Sequence, residues 1–179
     1  MSIPSVTQVL QPFMDFSRIP AEVLEAAADR GTEVHSICAR IAKKLWVVEV
    51  TEAYAGYVQS FTGWLDAMVE EVVLAEERLH DGNLGFHGMP DLICRIKGDE
   101  GLCLIDLKTP RAFSRSWWPQ IAGYRHLAIK AGHKIDRVAS LQLHPDGGKA
   151  KFTESTKSLT RDFAVFLAAL SCWRYFNGD

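Results

Sequence analysis

The stretch that decides the fold runs from Pro90 to Thr109 and reads PDLICRIKGDEGLCLIDLKT. Two apolar-rich runs flank a turn bounded by Gly98 and Gly101, which is the pattern of a β-hairpin. If the two glycines lie opposite each other, Ile96 faces Cys103 and Cys94 faces Ile105. Because side chains alternate between the faces of a strand, one face is wholly apolar and is predicted to join the core: Leu92, Cys94, Ile96, Cys103, Ile105 and Leu107.

The other face of this hairpin carries charge at its open end. The same register places Asp91 opposite Lys108 and Asp106 on the diagonal, where neighbouring Cα atoms lie about 7–8 Å apart. Two carboxylates at that spacing can share one cation, and carboxylate oxygens suit Mg²⁺ or Mn²⁺. A metal held there lowers the pKa of its bound water and polarises a phosphoryl oxygen. The alternative interpretation is a solvated, salt-bridged strand end.

Periodic patterns elsewhere predict the elements that surround the hairpin. Helices are predicted from Pro20 to a break at Gly31, then over Thr32–Trp46, Tyr57–Met68, Trp117–Ala131 and Ser158–Phe176. Strands are predicted over Val72–His80, Phe86–Lys97, Leu102–Lys108 and Ile135–Leu143, with a short one near Phe152. This order predicts an α/β (α+β) fold with a central mixed β-sheet flanked by helices. The length of 179 residues indicates one domain, residues 1–179.

The composition excludes two classes of chain. Hydrophobic residues make up 47% and charged residues 23%, which excludes a disordered protein. The longest apolar stretch, Phe163 to Trp173, is too short to span a bilayer, and no signal peptide is visible, so we expect a cytoplasmic protein without a membrane partner. The four cysteines show no zinc-site spacing, which favours free thiols in a reducing compartment.

The charge is unevenly distributed along the chain. The net charge is −2, yet the segment from Lys108 to Arg137 holds seven Lys or Arg residues and one acid, Asp136. Acidic residues concentrate elsewhere, between Asp66 and Glu77. A basic segment beside an acidic one suits phosphate attraction next to a metal-binding carboxylate site. On charge alone, a solvated helix face explains the same pattern.

Four short motifs in order give a more specific indication. Pro90-Asp91, followed by Asp106-Leu107-Lys108, resembles the signature of the PD-(D/E)XK nuclease superfamily. Three further features resemble its RecB-type exonuclease branch, so that the chain is similar to RecB-type and phage recombination exonucleases. The three features are Gly31-Thr-Glu-Val-His35, the acidic Glu76 ahead of Leu84-Gly-Phe-His-Gly88-Met-Pro-Asp91, and Gln120-Ile-Ala-Gly-Tyr124. The resemblance covers about half of the chain.

The resemblance implies a restriction-endonuclease-like core and a set of site residues. His35, Asp91 and Asp106 would bind Mg²⁺ or Mn²⁺, and the backbone carbonyl of Leu107 is a further candidate ligand. Glu76 would act at the metal directly or through water, although strand alternation leaves the adjacent Glu77 open as the residue that faces the site. The implied catalytic residues are therefore Glu76, Asp91, Asp106 and Lys108, and Lys108 would help to activate the water. The residues implied to hold the DNA strand are Gln120, Tyr124, Arg111 and Arg115.

The function implied is that of a metal-dependent DNA exonuclease in DNA recombination, repair or phage DNA processing. A structure-specific or site-specific endonuclease on the same fold is one alternative, and a non-catalytic nucleic-acid-binding module is another. DNA is the expected partner, together with a separate single-strand annealing protein or helicase, and a homo-oligomer is compatible with the resemblance. If the chain is encoded by a phage or prophage, its location is the bacterial cytoplasm.

Overall fold

The computed structural model describes residues 3–47, 49–110, 112–155 and 159–178. A short 3₁₀ turn at Gln11–Phe13 follows the first helix. The helices are α1 (Val6–Leu10), α2 (Ala21–Ala42), α3 (Glu52–Met68), α4 (Trp117–Lys130) and α5 (Leu159–Asn177). The strands are β1 (Val69–Ala75), β2 (Leu79–Asp81), β3 (Phe86–Gly88), β4 (Leu92–Ile96), β5 (Leu102–Lys108), β6 (Ile135–Gln142) and β7 (Lys151–Glu154).

The main sheet has five strands in the order β1-β4-β5-β6-β7. Strands β5 and β6 are parallel, whereas the other neighbours in the sheet are antiparallel. Helix α4 lies between β5 and β6 in the chain and makes the crossover that a parallel pair requires. The predicted fold class, a mixed sheet flanked by helices, is therefore confirmed.

Each face of the sheet is covered by its own set of helices. Helices α2 and α3 pack on one face, and that core contains all six residues of the predicted apolar face of the hairpin. The opposite core contains Ile93 and Leu104 from the same hairpin, covered by residues from α1, α4 and α5. The hairpin is therefore buried on both faces, and charged side chains can lie only at its ends.

The register predicted for the hairpin is wrong by two residues. Cys94 lies opposite Cys103 and Leu92 opposite Ile105. The tight turn closes earlier than predicted, because Asp99 N–H donates to the Ile96 carbonyl, with φ of +83° at Gly98. A shift of two preserves which face each side chain occupies, so the apolar face survives. Continued one step, the register sets Asp91 beside Asp106 rather than opposite Lys108.

Three other predicted boundaries are also wrong. Helix α2 continues without interruption through Gly31, because packing of its apolar face outweighs the cost of about 1 kcal/mol for a helical glycine. The predicted strand Val72–His80 divides into β1 and β2 at Glu76, where φ is +47°. The predicted strand Phe86–Lys97 likewise divides into β3 and β4.

Helix α3 begins at Glu52, before the predicted Tyr57, and a glycine fixes where it packs. A Cβ at Gly56 would come within 1.7 Å of the Pro145 carbonyl oxygen, so only glycine admits the loop after β6. Within the described residues, no helix combines the length and apolar character that crossing a membrane requires.

Candidate active site

A cleft of about 420 Å³ opens at the end of the sheet where β4 begins and β5 ends. Helix α2, helix α4 and the β2–β3 hairpin form its walls. Six of the predicted site residues line it: His35, Glu76, Asp91, Asp106, Gln120 and Tyr124. A larger hollow of about 820 Å³ lies along β1 and includes Glu77 but none of these six. The sequence motifs are thus brought together in one place.

Asp91 is held by both of its carboxylate oxygens. Its Oδ1 lies 3.0 Å from His35 Nδ1, and its Oδ2 accepts a 2.7 Å hydrogen bond from the Leu107 N–H. Burial favours the neutral acid, but the charge and hydrogen bond of His35 outweigh it, with help from Lys108 and the Leu107 N–H, and hold the pKa of Asp91 below its ordinary value. Burial likewise opposes the charged form of His35, and Asp91 overcomes this and raises the His35 pKa.

Asp106 is the most deeply buried acid of the cleft, with 1% of its surface exposed. Its Oδ2 lies 2.6 Å from Lys108 Nζ as an ion pair, but outside hydrogen-bond geometry to any described residue. Burial raises the pKa of Asp106 to about 6; the Lys108 charge opposes this shift and the Asp91 charge adds to it. The Lys108 ammonium is therefore the positive charge that supports the ionised form of Asp106.

Glu76 turns into the cleft because of its backbone. Its left-handed φ of +47° ends β1, and its N–H bonds to the carbonyls of Pro90 and Asp91 at 3.2 and 3.1 Å. Burial, followed by the nearby Asp91 charge, raises the pKa of Glu76. Glu77 is exposed and faces the other hollow, so Glu76 is the acid that belongs to the cleft. Three carboxylates, those of Glu76, Asp91 and Asp106, therefore line the same cleft, which makes its surroundings favourable to positive charge.

The Gln-x-x-x-Tyr motif on α4 holds Lys108. Lys108 Nζ donates to Gln120 Oε1 at 3.0 Å, and Gln120 Nε2 donates to Tyr124 Oη at 3.2 Å. Tyr124 Oη lies 3.4 Å from Thr7 Oγ1 on α1, which extends the chain of contacts. Gly88 leaves room for this arrangement, since a Cβ there would lie 2.7 Å from the Tyr124 ring. The ammonium of Lys108 is therefore fixed from several sides.

The carbonyl of Leu107, a candidate metal ligand, points toward the open end of β4. The N–H and C=O of one residue leave a strand on the same side, and successive residues alternate. Lys108 C=O accepts from Leu143 N–H at 2.8 Å, toward β6. The Leu107 carbonyl therefore points the other way, on the side where its N–H reaches Asp91.

The predicted basic DNA-binding residues are only partly in place. Arg115 is exposed in the loop before α4, and Arg111 lies outside the described residues. Arg125 donates to the Ile135 carbonyl, and Arg137 pairs with Asp99 and Glu154. Part of the basic segment thus stabilises the protein itself rather than presenting free charge.

Four residues that line the cleft escaped the sequence interpretation: Ser5, Thr7, Arg78 and His87. Ser5 and Gln8 form a capping box at the start of α1, with Ser5 Oγ accepting from Gln8 N–H. The spacing Ser-x-x-Gln is the sequence signal that could have located this helix and, with it, Thr7. Arg78 and His87 carry no comparable signal.

The donor set fits a hard divalent cation, although the described residues do not form a ready-made cluster of three or more His, Cys, Asp or Glu ligands around one point. His35 pairs with Asp91, and Lys108 pairs with Asp106. Against this, Glu76, Asp91 and Asp106 all line one cleft. Carboxylate oxygens are the ligands that suit Mg²⁺ or Mn²⁺.

Comparison with known proteins adds no identification: no protein-family model matches the chain, and none of the curated proteins matches it significantly. The functional argument therefore depends on the geometry of the cleft and on the motifs that line it.

Proposed function

We propose that the protein is a metal-dependent deoxyribonuclease that acts as an exonuclease in DNA recombination, repair or phage DNA processing. The observation that carries the proposal is the cleft into which Asp91, Asp106 and Glu76 converge, with Lys108 paired to Asp106. The motif order and the mixed sheet support the further proposal that the fold is a PD-(D/E)XK core.

A divalent cation would be held by Asp91 and Asp106, with His35, Glu76 and the Leu107 carbonyl as the neighbouring donors. When bound, Mg²⁺ or Mn²⁺ supplies an activated water and polarises a phosphoryl oxygen. The position of Glu76, Asp91 and Asp106 in one cleft supports this assignment, because burial and the Asp91 charge raise the pKa of Glu76 and Asp106.

Lys108 acts on the reaction itself. In hydrolysis, the oxygen of a water forms a bond to phosphorus, the bond to the departing sugar oxygen breaks, and that oxygen gains a proton. Negative charge accumulates on the phosphoryl oxygens, and a fixed ammonium offsets it. Gln120 holds Lys108 Nζ at 3.0 Å, so Gln120 is a positioning residue for it, supported in turn by Tyr124. Gln120 and Tyr124 as DNA-binding residues stay a prediction.

The test uses linear DNA and covalently closed circular DNA with Mg²⁺ or Mn²⁺ and an EDTA control. We expect metal-dependent loss of linear DNA that Lys108→Ala abolishes. Lys134→Ala is the matched control, because its side chain is 91% exposed and pairs only loosely with Asp136 at 3.8 Å. An end label gives the polarity, and cutting of circles would replace the exonuclease with an endonuclease.

A second candidate is a non-catalytic nucleic-acid-binding module. The pairs His35–Asp91 and Lys108–Asp106 favour it, because they already balance the charge of two acids without a metal. Calorimetric titration with Mg²⁺ or Mn²⁺ separates the two functions. A nuclease binds the ion in a manner that Asp91→Asn and Asp106→Asn weaken, whereas a pure binding module shows no such site.

The proposed partners follow from the same function. DNA is the substrate, and a separate single-strand annealing protein or helicase would supply or receive the processed strand. Co-purification with such a protein, and its loss after nuclease treatment of the sample, would show whether contact between them is direct or bridged by DNA.

A further inference from the structure

Three aromatic residues form a compact cluster beside the cleft. The Phe113 ring meets the Trp117 ring edge-on at 5.2 Å and the Trp118 ring at 6.1 Å. Trp117 is 5% exposed and serves as core, whereas Phe113 is 52% exposed in the loop that joins β5 to α4. A large apolar ring is thus held toward solvent by two neighbours rather than turned inward.

The cluster is connected to the proposed catalytic lysine. Lys108 Nζ lies 5.4 Å from the Trp117 ring centre, in the range of a cation–π contact. Since the Phe113 ring lies 5.2 Å from that same centre, the exposed ring is at most about 11 Å from the ammonium. Bases along a stacked DNA strand rise by about 3.4 Å each, so a base within about three nucleotides of the scissile phosphate can reach Phe113.

We infer that Phe113 stacks on an unpaired base of single-stranded DNA within about three nucleotides of the phosphate that is cleaved. The inference rests on the proposed nuclease function and names its substrate class. Aromatic side chains bind single strands through the open faces of bases, which a duplex keeps stacked internally. The exposed Arg115 lies in the same loop and adds a charge for the backbone. A single exposed ring, that of Phe113, beside a single cation, that of Arg115, suits a base and its phosphate better than it suits a protein interface.

In the sequence, Trp117 and Trp118 lie next to each other and near Arg115, an arrangement that suits either stacking on bases or packing in the core. The structure buries Trp117 against Lys108 and leaves Trp118 partly covered, so Phe113 presents the accessible face. Trp117 then has a supporting function, because it sets the position of both Lys108 and Phe113.

The experiment measures binding of a fluorescein-labelled single-stranded oligonucleotide in Ca²⁺, a cation that takes the same oxygen ligands as Mg²⁺. The variants are wild type, Phe113→Ala and Phe176→Ala; Phe176 is an exposed phenylalanine at the end of α5 that does not line the cleft. We expect Phe113→Ala to weaken binding about 5- to 100-fold, the value of one lost stacking contact. Phe176→Ala should bind as wild type does.

A second oligonucleotide, with abasic sites in place of its bases, isolates the stacking contact. Wild type and Phe113→Ala should bind it equally, because there is no base left to stack on. Equal binding of the normal oligonucleotide by wild type and Phe113→Ala, in an enzyme that still degrades DNA, overturns the inference alone. Tighter binding of blunt duplex than of single strand also overturns it. Absence of both DNA binding and cleavage in wild type overturns the proposed function together with the inference.

Discussion

The two ends of the β4–β5 hairpin carry similar charged residues in contrasting surroundings. At the closed end, Arg137 pairs with Asp99 and Glu154, and all three side chains are about one-third exposed. At the open end, Lys108 pairs with Asp106, and both side chains are nearly buried. Exposed ion pairs contribute little to the free energy of folding, whereas burying a charged pair adds a desolvation penalty that its partners must offset. Residue type alone therefore does not distinguish a structural charge cluster from a candidate active site; burial does.

The largest expected effect comes from removing the lysine at the open end. We expect Lys108→Ala to lower the rate of DNA cleavage by about 10²- to 10³-fold, since a fixed cation that stabilises the transition state is lost. Arg137→Ala at the closed end should leave the rate within about twofold, because surface pairs couple weakly to their surroundings. Single-turnover cleavage of a labelled strand measures both. Equal losses of cleavage rate in Lys108→Ala and Arg137→Ala would contradict the proposed difference between the buried ion pair and the exposed one.

Asp106→Asn gives the next largest effect, on stability. Burial raises the pKa of Asp106 to about 6, so the folded state prefers the protonated acid. That stabilisation is complete below the unfolded pKa near 3.9 and is lost as the pH rises through about 6. Asparagine mimics the protonated form, so the metal-free variant should exceed wild type at pH 7.5 by up to about 3 kcal/mol in free energy of unfolding.

Urea unfolding in EDTA, at pH 7.5 and near pH 4, measures this effect. Near pH 4 the difference in free energy of unfolding between Asp106→Asn and wild type should disappear. Adding Mg²⁺ should raise the midpoint of wild type and not that of the variant. Asp99→Asn at the closed end is the control and should change stability by less than about 1 kcal/mol. An Asp106→Asn variant that is less stable than wild type at pH 7.5 would show that the Lys108 pair outweighs the cost of burial.

A matched pair of glycine substitutions comes third. A Cβ at Gly88 would lie 2.7 Å from the buried Tyr124 ring, whereas one at Gly63 on α3 would meet no described atom within 4 Å. Gly88→Ala should cost about 1–3 kcal/mol, as overpacking does, and slow cleavage through Gln120 and Lys108. Gly63→Ala should cost nothing, because its Cβ enters open space and alanine favours a helix over glycine. Thermal melts and cleavage rates test both, and equal costs would contradict the rigid support assigned to Tyr124.

The smallest expected effect is that of Arg137→Ala on stability. We expect a loss of about 1 kcal/mol or less, which shrinks further at high salt. The hydrogen bond from Arg137 lowers the pKa of Glu154. A lowered carboxyl pKa stabilises the folded state above the unfolded pKa, and this contribution is lost as the pH falls through the titration of Glu154. Denaturant unfolding at two salt concentrations measures the loss, and a salt-independent result would mean that Arg137 acts through packing.

The sequence predicted which residues share a face more reliably than which residues are opposite each other. All six residues of the apolar hairpin face are in one core, because alternation is a local property of a strand. The register depended on where the turn closes, and Gly98 with Asp99 closes it earlier than the two glycines suggested. Since the error was an even number of residues, Asp91 and Asp106 still belong to the same face of the hairpin.

The sequence predicted site residues that belong to short motifs. It did not predict contacts that depend on backbone conformation or on packing between residues far apart in the chain. Glu76 enters the cleft through a left-handed φ that no propensity for glutamate indicates. Thr7 reaches Tyr124 across 117 positions of sequence, from a helix of five residues that sequence patterns barely register. The direction of Gln120, toward Lys108, depends on the position of α4 over β5 and not on the spacing to Tyr124 alone.

The contact between Tyr124 and Thr7 also bears on when the site becomes competent during synthesis. A ribosome-bound chain that has emerged only to the end of β5 already contains His35, Asp91, Asp106 and Lys108. It lacks the helix whose Gln120 holds the lysine and whose Tyr124 attaches to α1 near the N-terminus. Non-local contacts of this kind form late, because long loops must close first. An incomplete chain therefore carries these side chains without their alignment, which would restrain the proposed nuclease activity until the later helix has been made.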